Sequence, residues 1–131
     1  MPGLPRRRAK RHCDYHSVVL IDPTLVEEIR RIERATGRND VFSGLVRTLE
    51  GSVTGFPKSL AEHVARGDAK GAVRAAHTLK GTCRQLGAVA LGDLFAEIEA
   101  SAKAGDYSEA KRKYDDGAGL IAQSFAALKS A

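Results

Sequence analysis

The sequence is poor in aromatic side chains and in cysteine. It contains no Trp, aromatic residues make up 5% of its 131 residues, and its two cysteines, Cys13 and Cys83, lie far apart. Two distant cysteines do not make a disulfide framework, so a reducing cytoplasm is the expected compartment. Ala, Leu and Val dominate the apolar residues, which favours packed helices over a β-sandwich.

Long apolar runs are also missing from the sequence. No stretch approaches the roughly 18 residues that a membrane-spanning helix needs, and the N-terminus lacks the apolar region of a secretory signal. We therefore expect a cytoplasmic protein that makes no membrane contact. A chain of 131 residues with 43% hydrophobic residues can bury one modest core, which predicts a single domain. The initial Met1 favours a free-standing protein.

Positive charge is concentrated at the N-terminus. The formal net charge is +5, and five cations lie within the first eleven residues: Arg6, Arg7, Arg8, Lys10 and Arg11. Such a run can contact nucleic acid, anionic lipid or an acidic partner, but a solvated tail is our expectation, without nucleic-acid binding. We predict a flexible basic tail over residues 1–20 and a helical domain over residues 21–131. His12 and His16 in this tail would share a face only in a helix, so no metal site is expected.

The rest of the chain shows helix boundaries and helical periodicity. Asp22-Pro23 is typical of a helix start and Gly37 of its end; the apolar positions between them are Leu25, Val26, Ile29 and Ile32. Asn39 or Asp40 is expected to cap the next helix, which has the most sustained periodicity. Its apolar positions are Phe42, Leu45, Val46, Leu49, Val53, Phe56, Leu60 and Val64. We expect a kink or short break in it near Thr54–Pro57.

Three more helices are predicted: one over about residues 69–86, capped by Asp68 after Gly67, one over about residues 91–104, and one after Gly105-Asp106. Gly117 and Gly119 are weak points of the last helix. No alternating strand pattern occurs, and short links between helices make neighbours antiparallel. We therefore predict an all-α fold: an antiparallel up-down four-helix bundle with an additional short N-terminal helix.

The helix over residues 69–86 has two contrasting faces. At about 100° per residue, one stripe collects Ala72, Ala76, Leu79, Cys83 and Leu86. His77 points away from that stripe, and its outward face also carries Val73, Lys80, Gly81 and Arg84. Glycine on a helix surface costs about 1 kcal/mol relative to alanine. Gly81 therefore indicates the close approach of another molecule.

The segment Ala76-His77-x-Leu79-Lys80-Gly81, followed by Leu86-Gly87, resembles the signature of histidine-containing phosphotransfer (HPt) domains. The resemblance covers about residues 22–129, including the helix after Gly87. It implies that His77 is phosphorylated at Nε2, as an intermediate between aspartates of receiver domains in response regulators and hybrid histidine kinases.

The resemblance also implies roles for residues around His77. Lys80 would stabilise the phosphoryl oxygens, and Gly81 would leave room for that group and the partner. Glu99 lies where some members of the family use a polar residue to orient the imidazole. On helical geometry alone, Arg84 would add positive charge. Partner docking is expected to involve Val73, Arg74 and Gln85.

Two residues of this helix are given structural roles. We expect Cys83 to lie in the core rather than act in catalysis. Gly87 is expected to end the helix and to serve packing rather than partner contact.

The chemistry of imidazole agrees with this assignment. Histidine side chains have an ordinary pKa of about 6.5, so a neutral imidazole is available as a nucleophile near neutral pH. It can attack an aspartyl phosphate in line, in a reaction dominated by positioning and charge stabilisation. The sequence has no Gly-rich nucleotide loop and no acidic cluster for Mg²⁺. We therefore expect no autonomous kinase activity and no intrinsic cofactor, with Mg²⁺ held by the partner receiver domain.

Two alternatives remain open. The first is the dimerisation and phosphoacceptor domain of a histidine kinase. That family typically has an acidic residue directly after its histidine and Pro four positions on, where this sequence has Thr78 and Gly81. The second is a helical protein-interaction module without phosphotransfer. We expect a monomer, and monomeric behaviour in solution would count against the kinase domain.

Overall fold

The computed structural model describes residues 19–131, and these form seven α-helices without a strand. The helices are α1 (Pro23–Thr36), α2 (Val41–Thr54), α3 (Phe56–Ala65), α4 (Ala69–Gln85), α5 (Val89–Lys103), α6 (Tyr107–Asp116) and α7 (Ala118–Ser130). The all-α class is confirmed. The basic run and the two histidines near the N-terminus lie outside the described residues, as does most of the predicted tail.

Local sequence signals place several helix ends where they were predicted. The side chain of Asp22 accepts a hydrogen bond from the Thr24 N–H at 2.9 Å and so caps α1. Asp68 caps α4 in the same way by accepting from the Gly71 N–H at 2.8 Å. Each cap satisfies a backbone donor that has no partner within its helix.

The start of α2 is capped differently from the prediction. Asp40 occupies the cap position but makes no side-chain cap hydrogen bond. Instead, the Phe42 N–H donates to the buried carboxylate of Glu33 at 2.6 Å. Arg30 donates to the same carboxylate at 3.1 Å and lies 4.6 Å from the centre of the Phe42 ring. The cap of α2 therefore comes from α1, because the two helices pack together.

The predicted break occurs at Gly55, between α2 and α3. Pro57 is near the start of α3, where its missing N–H costs few helical hydrogen bonds. It nevertheless leaves the Val53 carbonyl without the donor four residues later that an unbroken helix would supply. The Tyr114 hydroxyl of α6 donates to that carbonyl at 2.8 Å. The break is thus stabilised by a residue that is distant in sequence.

A second interruption, at Gly117, divides the last predicted helix into α6 and α7. A Cβ atom at this position would lie 2.7 Å from a methyl carbon of Leu94 on α5. The glycine therefore allows the junction of α6 and α7 to pack closely against α5.

Most predicted apolar positions are buried, but Ile32, Leu45 and Val64 are exposed. Ile32 retains 59% of its possible exposure. Among the described elements, α1 packs mainly on α2. The apolar stripe of α1 is therefore wider than the surface that covers it, which periodicity within one helix cannot reveal.

The inner stripe of α4 is buried as predicted. Its most extensive packing is against α5, with further contacts to α2 and α3; the buried members are Ala72, Ala76, Leu79, Cys83 and Leu86. Burial raises the pKa of the Cys83 thiol to about 12, so this thiol is not a nucleophile near neutral pH. The prediction that Cys83 belongs to the core is confirmed.

Gly87 ends the α4 segment with φ of 88°, a left-handed conformation that favours glycine. Its carbonyl accepts a hydrogen bond from the Asp22 N–H at 2.7 Å. A Cβ atom on Gly87 would lie 3.1 Å from the Asp22 carbonyl oxygen. The predicted structural role of Gly87 is confirmed, since it joins the end of α4 to the start of α1.

Candidate functional site

His77 lies in the middle of α4 with its ring in solvent. The side chain is 63% exposed, and its Nδ1 atom lies 3.1 Å from Oε2 of Glu99 on α5. The side chain of Glu99 is only 5% exposed. An exposed imidazole is therefore held at one nitrogen by a carboxylate from the neighbouring helix.

Two lysines share the Glu99 carboxylate with His77. The Lys80 Nζ atom lies 2.8 Å from Oε1, and the Lys103 Nζ atom lies 3.3 Å from Oε2. Burial on its own raises the pKa of Glu99, but hydrogen bonds from Lys80, His77 and Lys103 outweigh it and lower the pKa to about 2. Glu99 is consequently ionised near neutral pH, despite its burial.

An ionised carboxylate only accepts hydrogen bonds, so the nitrogen facing it must carry the proton. In the neutral imidazole of His77, that places hydrogen on Nδ1 and the free lone pair on Nε2. The structure thus brings together His77, Lys80 and Glu99, three of the residues predicted to form the site.

Gly81 lies about one turn beyond His77 on α4. A Cβ atom at this position would meet no atom within 4 Å. The space beside the imidazole is therefore open. A longer side chain at position 81 would extend into solvent next to His77 rather than into the core.

A shallow groove of about 690 Å³ lies beside His77, between α4, the end of α5 and the start of α6. Two of the predicted docking residues, Val73 and Arg74, line it together with His77 and Glu99. Gln85, the third, lines a different groove of about 300 Å³ formed by α1, α2 and α4. The structure therefore does not bring the three docking residues into one groove.

Arg84 has a partner of its own. Its guanidinium lies 3.2 Å from a carboxylate oxygen of Asp93 on α5. A Cβ atom on Gly92 would lie 2.8 Å from Cγ of Arg84, so this glycine makes room for the arginine stem. The predicted contribution of Arg84 to the charge at His77 remains a prediction.

Two lysines near His77, Lys103 and Lys70, are not among the site residues predicted from the sequence. Lys103 follows Glu99 by one turn of α5, a spacing that places both on one helix face. Lys70 precedes His77 by two turns of α4 and lines the same groove. Both lysines could have been predicted, because each lies a whole number of helical turns from a predicted site residue.

Residues 19–131 contain neither a metal-binding cluster nor a helix that could span a membrane. This part of the chain has no cluster of three or more His, Cys, Asp or Glu residues that could hold a metal ion. None of the helices described there combines the length and apolarity needed to cross a membrane.

Comparison with known proteins gives one match. The family model described as the Hpt domain matches residues 23–131, from the first residue of α1 to the end of the chain. No curated protein and no solved structure matches. The matched region includes α4 and α5, which hold His77 and Glu99. The chain therefore belongs to the Hpt domain family, whose members are phosphotransfer modules of phosphorelay signalling rather than kinases.

Proposed function

We propose that His77 accepts a phosphoryl group from the aspartyl phosphate of a receiver domain, or from a partner kinase, and passes it to another response regulator. The observation that carries this proposal is the contact between exposed His77 and buried Glu99, at 3.1 Å. It leaves the Nε2 lone pair directed away from Glu99 and available to a partner.

The reaction can be written as a transfer between two nucleophiles. The Nε2 lone pair of His77 forms a bond to phosphorus while the bond from phosphorus to the aspartate oxygen breaks. The aspartate leaves with that electron pair as a carboxylate. The imidazole keeps its Nδ1 proton and becomes positively charged, and the carboxylate of Glu99 stabilises that charge. Transfer to the next receiver is the reverse of these steps.

Lys80 and Gly81 serve the phosphoryl group in this proposal. Lys80 is partly buried and bound to Glu99 at 2.8 Å in the unphosphorylated protein. A phosphoryl group on Nε2 would attract its ammonium group and share it with Glu99. The open space at Gly81 admits the group and the partner's surface. Arg84, which is paired with Asp93 at 3.2 Å, would add further positive charge.

The partner supplies the remaining chemistry. We propose that the chain works without an intrinsic cofactor or kinase activity, as a cytoplasmic monomer, and that the receiver domain holds Mg²⁺. We also propose an up-down bundle whose four members are α2 with α3, α4, α5, and α6 with α7. Packing of α3 on α4, α4 on α5, α5 on α6, and α2 on α7 supports this arrangement, with α1 as the additional N-terminal helix.

Membership of the Hpt family favours this function over the dimerisation domain of a histidine kinase. The test incubates the protein with a phosphorylated receiver domain and follows label that is acid-labile and base-stable. We expect His77→Gln to abolish labelling. The matched control is His63→Gln, which changes a partly buried histidine on α3 that pairs with Asp68, and it should keep labelling. Labelling that survives in His77→Gln would exclude the assignment.

A further inference from the structure

The groove beside His77 has a basic rim of three cations, and only one of them is paired within residues 19–131. Lys70 and Arg74 line it from α4, and Lys103 lines it from α5. Lys70 and Arg74 are exposed and have no hydrogen bond or ion pair within residues 19–131. Lys103 is bound to Glu99, with its side chain 64% exposed. Lys70 and Arg74 are therefore the two rim cations that have no partner in the described part of the chain.

The other lining residues within 19–131 offer one acidic group to oppose these cations, and that group is already paired. Val73, Ala102 and Tyr107 contribute apolar surface to it. Glu99 is the one acidic residue among the described lining residues, and His77, Lys80 and Lys103 already surround its carboxylate. The groove thus combines an apolar floor with a net positive rim.

Lys70 and Arg74 are aligned with His77 along α4. Lys70, Arg74 and His77 follow one another at the spacing of one helix face, so the cations precede His77 by about 10 Å and about 4.5 Å along the axis of α4. A partner that carries a phosphoryl group to His77 and also enters the groove must therefore pass close to Lys70 and Arg74.

We propose that this groove is the surface on which a receiver domain docks, and that it selects receivers with Asp or Glu side chains placed against Lys70 and Arg74. The inference rests on the proposed function, because a receiver must reach His77. Opposite charges at the rim accelerate encounter and discriminate between partners more than they add affinity. The charges of Lys70 and Arg74 on α4 would therefore determine which receivers bind.

The experiment measures transfer from preloaded protein. Each variant is loaded at His77 with phosphoramidate, a small phosphoryl donor, to the same extent of label. It is then mixed with a purified receiver domain that accepts label from the unaltered protein. The second-order rate constant is recorded over a range of salt concentrations.

We expect the double variant Lys70→Glu, Arg74→Glu to transfer about tenfold more slowly at low salt. The difference should shrink to within about twofold near 1 M salt, where the screening length is about 3 Å. The charge-preserving variant Lys70→Arg, Arg74→Lys should transfer at close to the unaltered rate. Circular dichroism of each variant checks that the helices are intact.

The matched control is Arg31→Glu, which reverses an exposed cation on α1 away from the groove. It should leave the rate unchanged. An equal loss in this control would show that overall charge acts rather than the groove, and would overturn the inference. Equal rates and equal salt dependence for the double variant and the unaltered protein would overturn it as well.

The two proposals fail in different ways. If phosphoramidate does not label His77 in the unaltered protein, or no receiver accepts the label, the proposed function fails and the docking inference fails with it. If label passes from His77 to a receiver but charge reversal at Lys70 and Arg74 has no effect, the docking inference alone is wrong.

Discussion

Nδ1 of His77, on an exposed face of α4, lies 3.1 Å from Oε2 of Glu99, whose side chain is almost fully buried on α5. The contact joins the solvent-exposed imidazole of His77, which is available to a partner, to the buried carboxylate of Glu99. Because α4 packs more extensively on α5 than on any other described helix, the position of the carboxylate is set by the core. Several consequences of this arrangement can be measured.

Replacing Glu99 by Gln should slow phosphoryl transfer by about tenfold or more. The amide no longer requires a proton on Nδ1 of His77, and it does not stabilise the positive charge of the phosphorylated ring. Single-turnover transfer and the ¹⁵N chemical shifts of the imidazole measure the two effects separately. Unchanged shifts together with an unchanged rate would contradict the proposed role of Glu99. Glu27→Gln, which changes an exposed carboxylate paired with Arg34 on α1, is the matched control.

Glu99 should also make stability depend on pH in the acid range. Its pKa is lowered from 4.5 to about 2 in the folded protein, so the unfolded chain binds this proton more readily. The stabilisation is fully present above about pH 5 and is lost as the pH falls towards 2. Urea unfolding at several pH values should show a steeper acid loss for the unaltered protein than for Glu99→Gln. Parallel curves for the two proteins would contradict the lowered pKa.

Lys80→Ala should slow transfer or shorten the lifetime of phosphohistidine without unfolding the protein. The substitution removes the ammonium group nearest to Oε1 of Glu99, at 2.8 Å, and with it the charge proposed to stabilise the phosphoryl oxygens. Release of label at fixed pH and the transfer rate give the two readouts. Lys58→Ala on α3 changes an exposed lysine and serves as the control. Kinetics identical to those of the unaltered protein would refute the role of Lys80.

Gly81→Gln should separate stability from function. Nothing lies within 4 Å of the added Cβ position, and Gln favours helix over Gly, so the free energy of unfolding should rise by roughly 0.5–1 kcal/mol. Transfer to a receiver should nevertheless fall, because the side chain occupies the space beside His77. Gly51→Gln on α2, another open glycine position, should raise stability and leave transfer unchanged. A Gly81 variant that transfers normally would show that this space is not needed.

Tyr114→Phe should destabilise the protein by about 1–2 kcal/mol, because the Val53 carbonyl at the break loses the hydroxyl that donates to it at 2.8 Å. Pro57→Ala restores a backbone N–H that can donate to that carbonyl. The effect of Tyr114→Phe should therefore be smaller in the Pro57→Ala background, and urea unfolding of the four proteins measures the coupling. Additive effects would show that the hydroxyl and the proline are independent.

The sequence alone was sufficient for features that depend on one helix at a time. Caps at Asp22 and Asp68, the break at Gly55 and the burial of the α4 stripe all follow from spacing and from backbone chemistry within a few residues. The orientation of His77 away from the core was predictable for the same reason. Periodicity overestimated burial at Ile32, because it does not report how much of a helix surface a neighbour covers.

Tertiary structure decided which groups meet across helices. Glu99 was singled out by resemblance to a family, but its sharing between His77, Lys80 and Lys103 depends on how α4 packs on α5. Pairing of Arg84 with Asp93 and capping of α2 by Glu33 have the same origin. Residue spacing along the chain determines which face of a helix a side chain occupies. The distance from that side chain to a charge on another helix is determined only when the buried apolar faces of the two helices pack together.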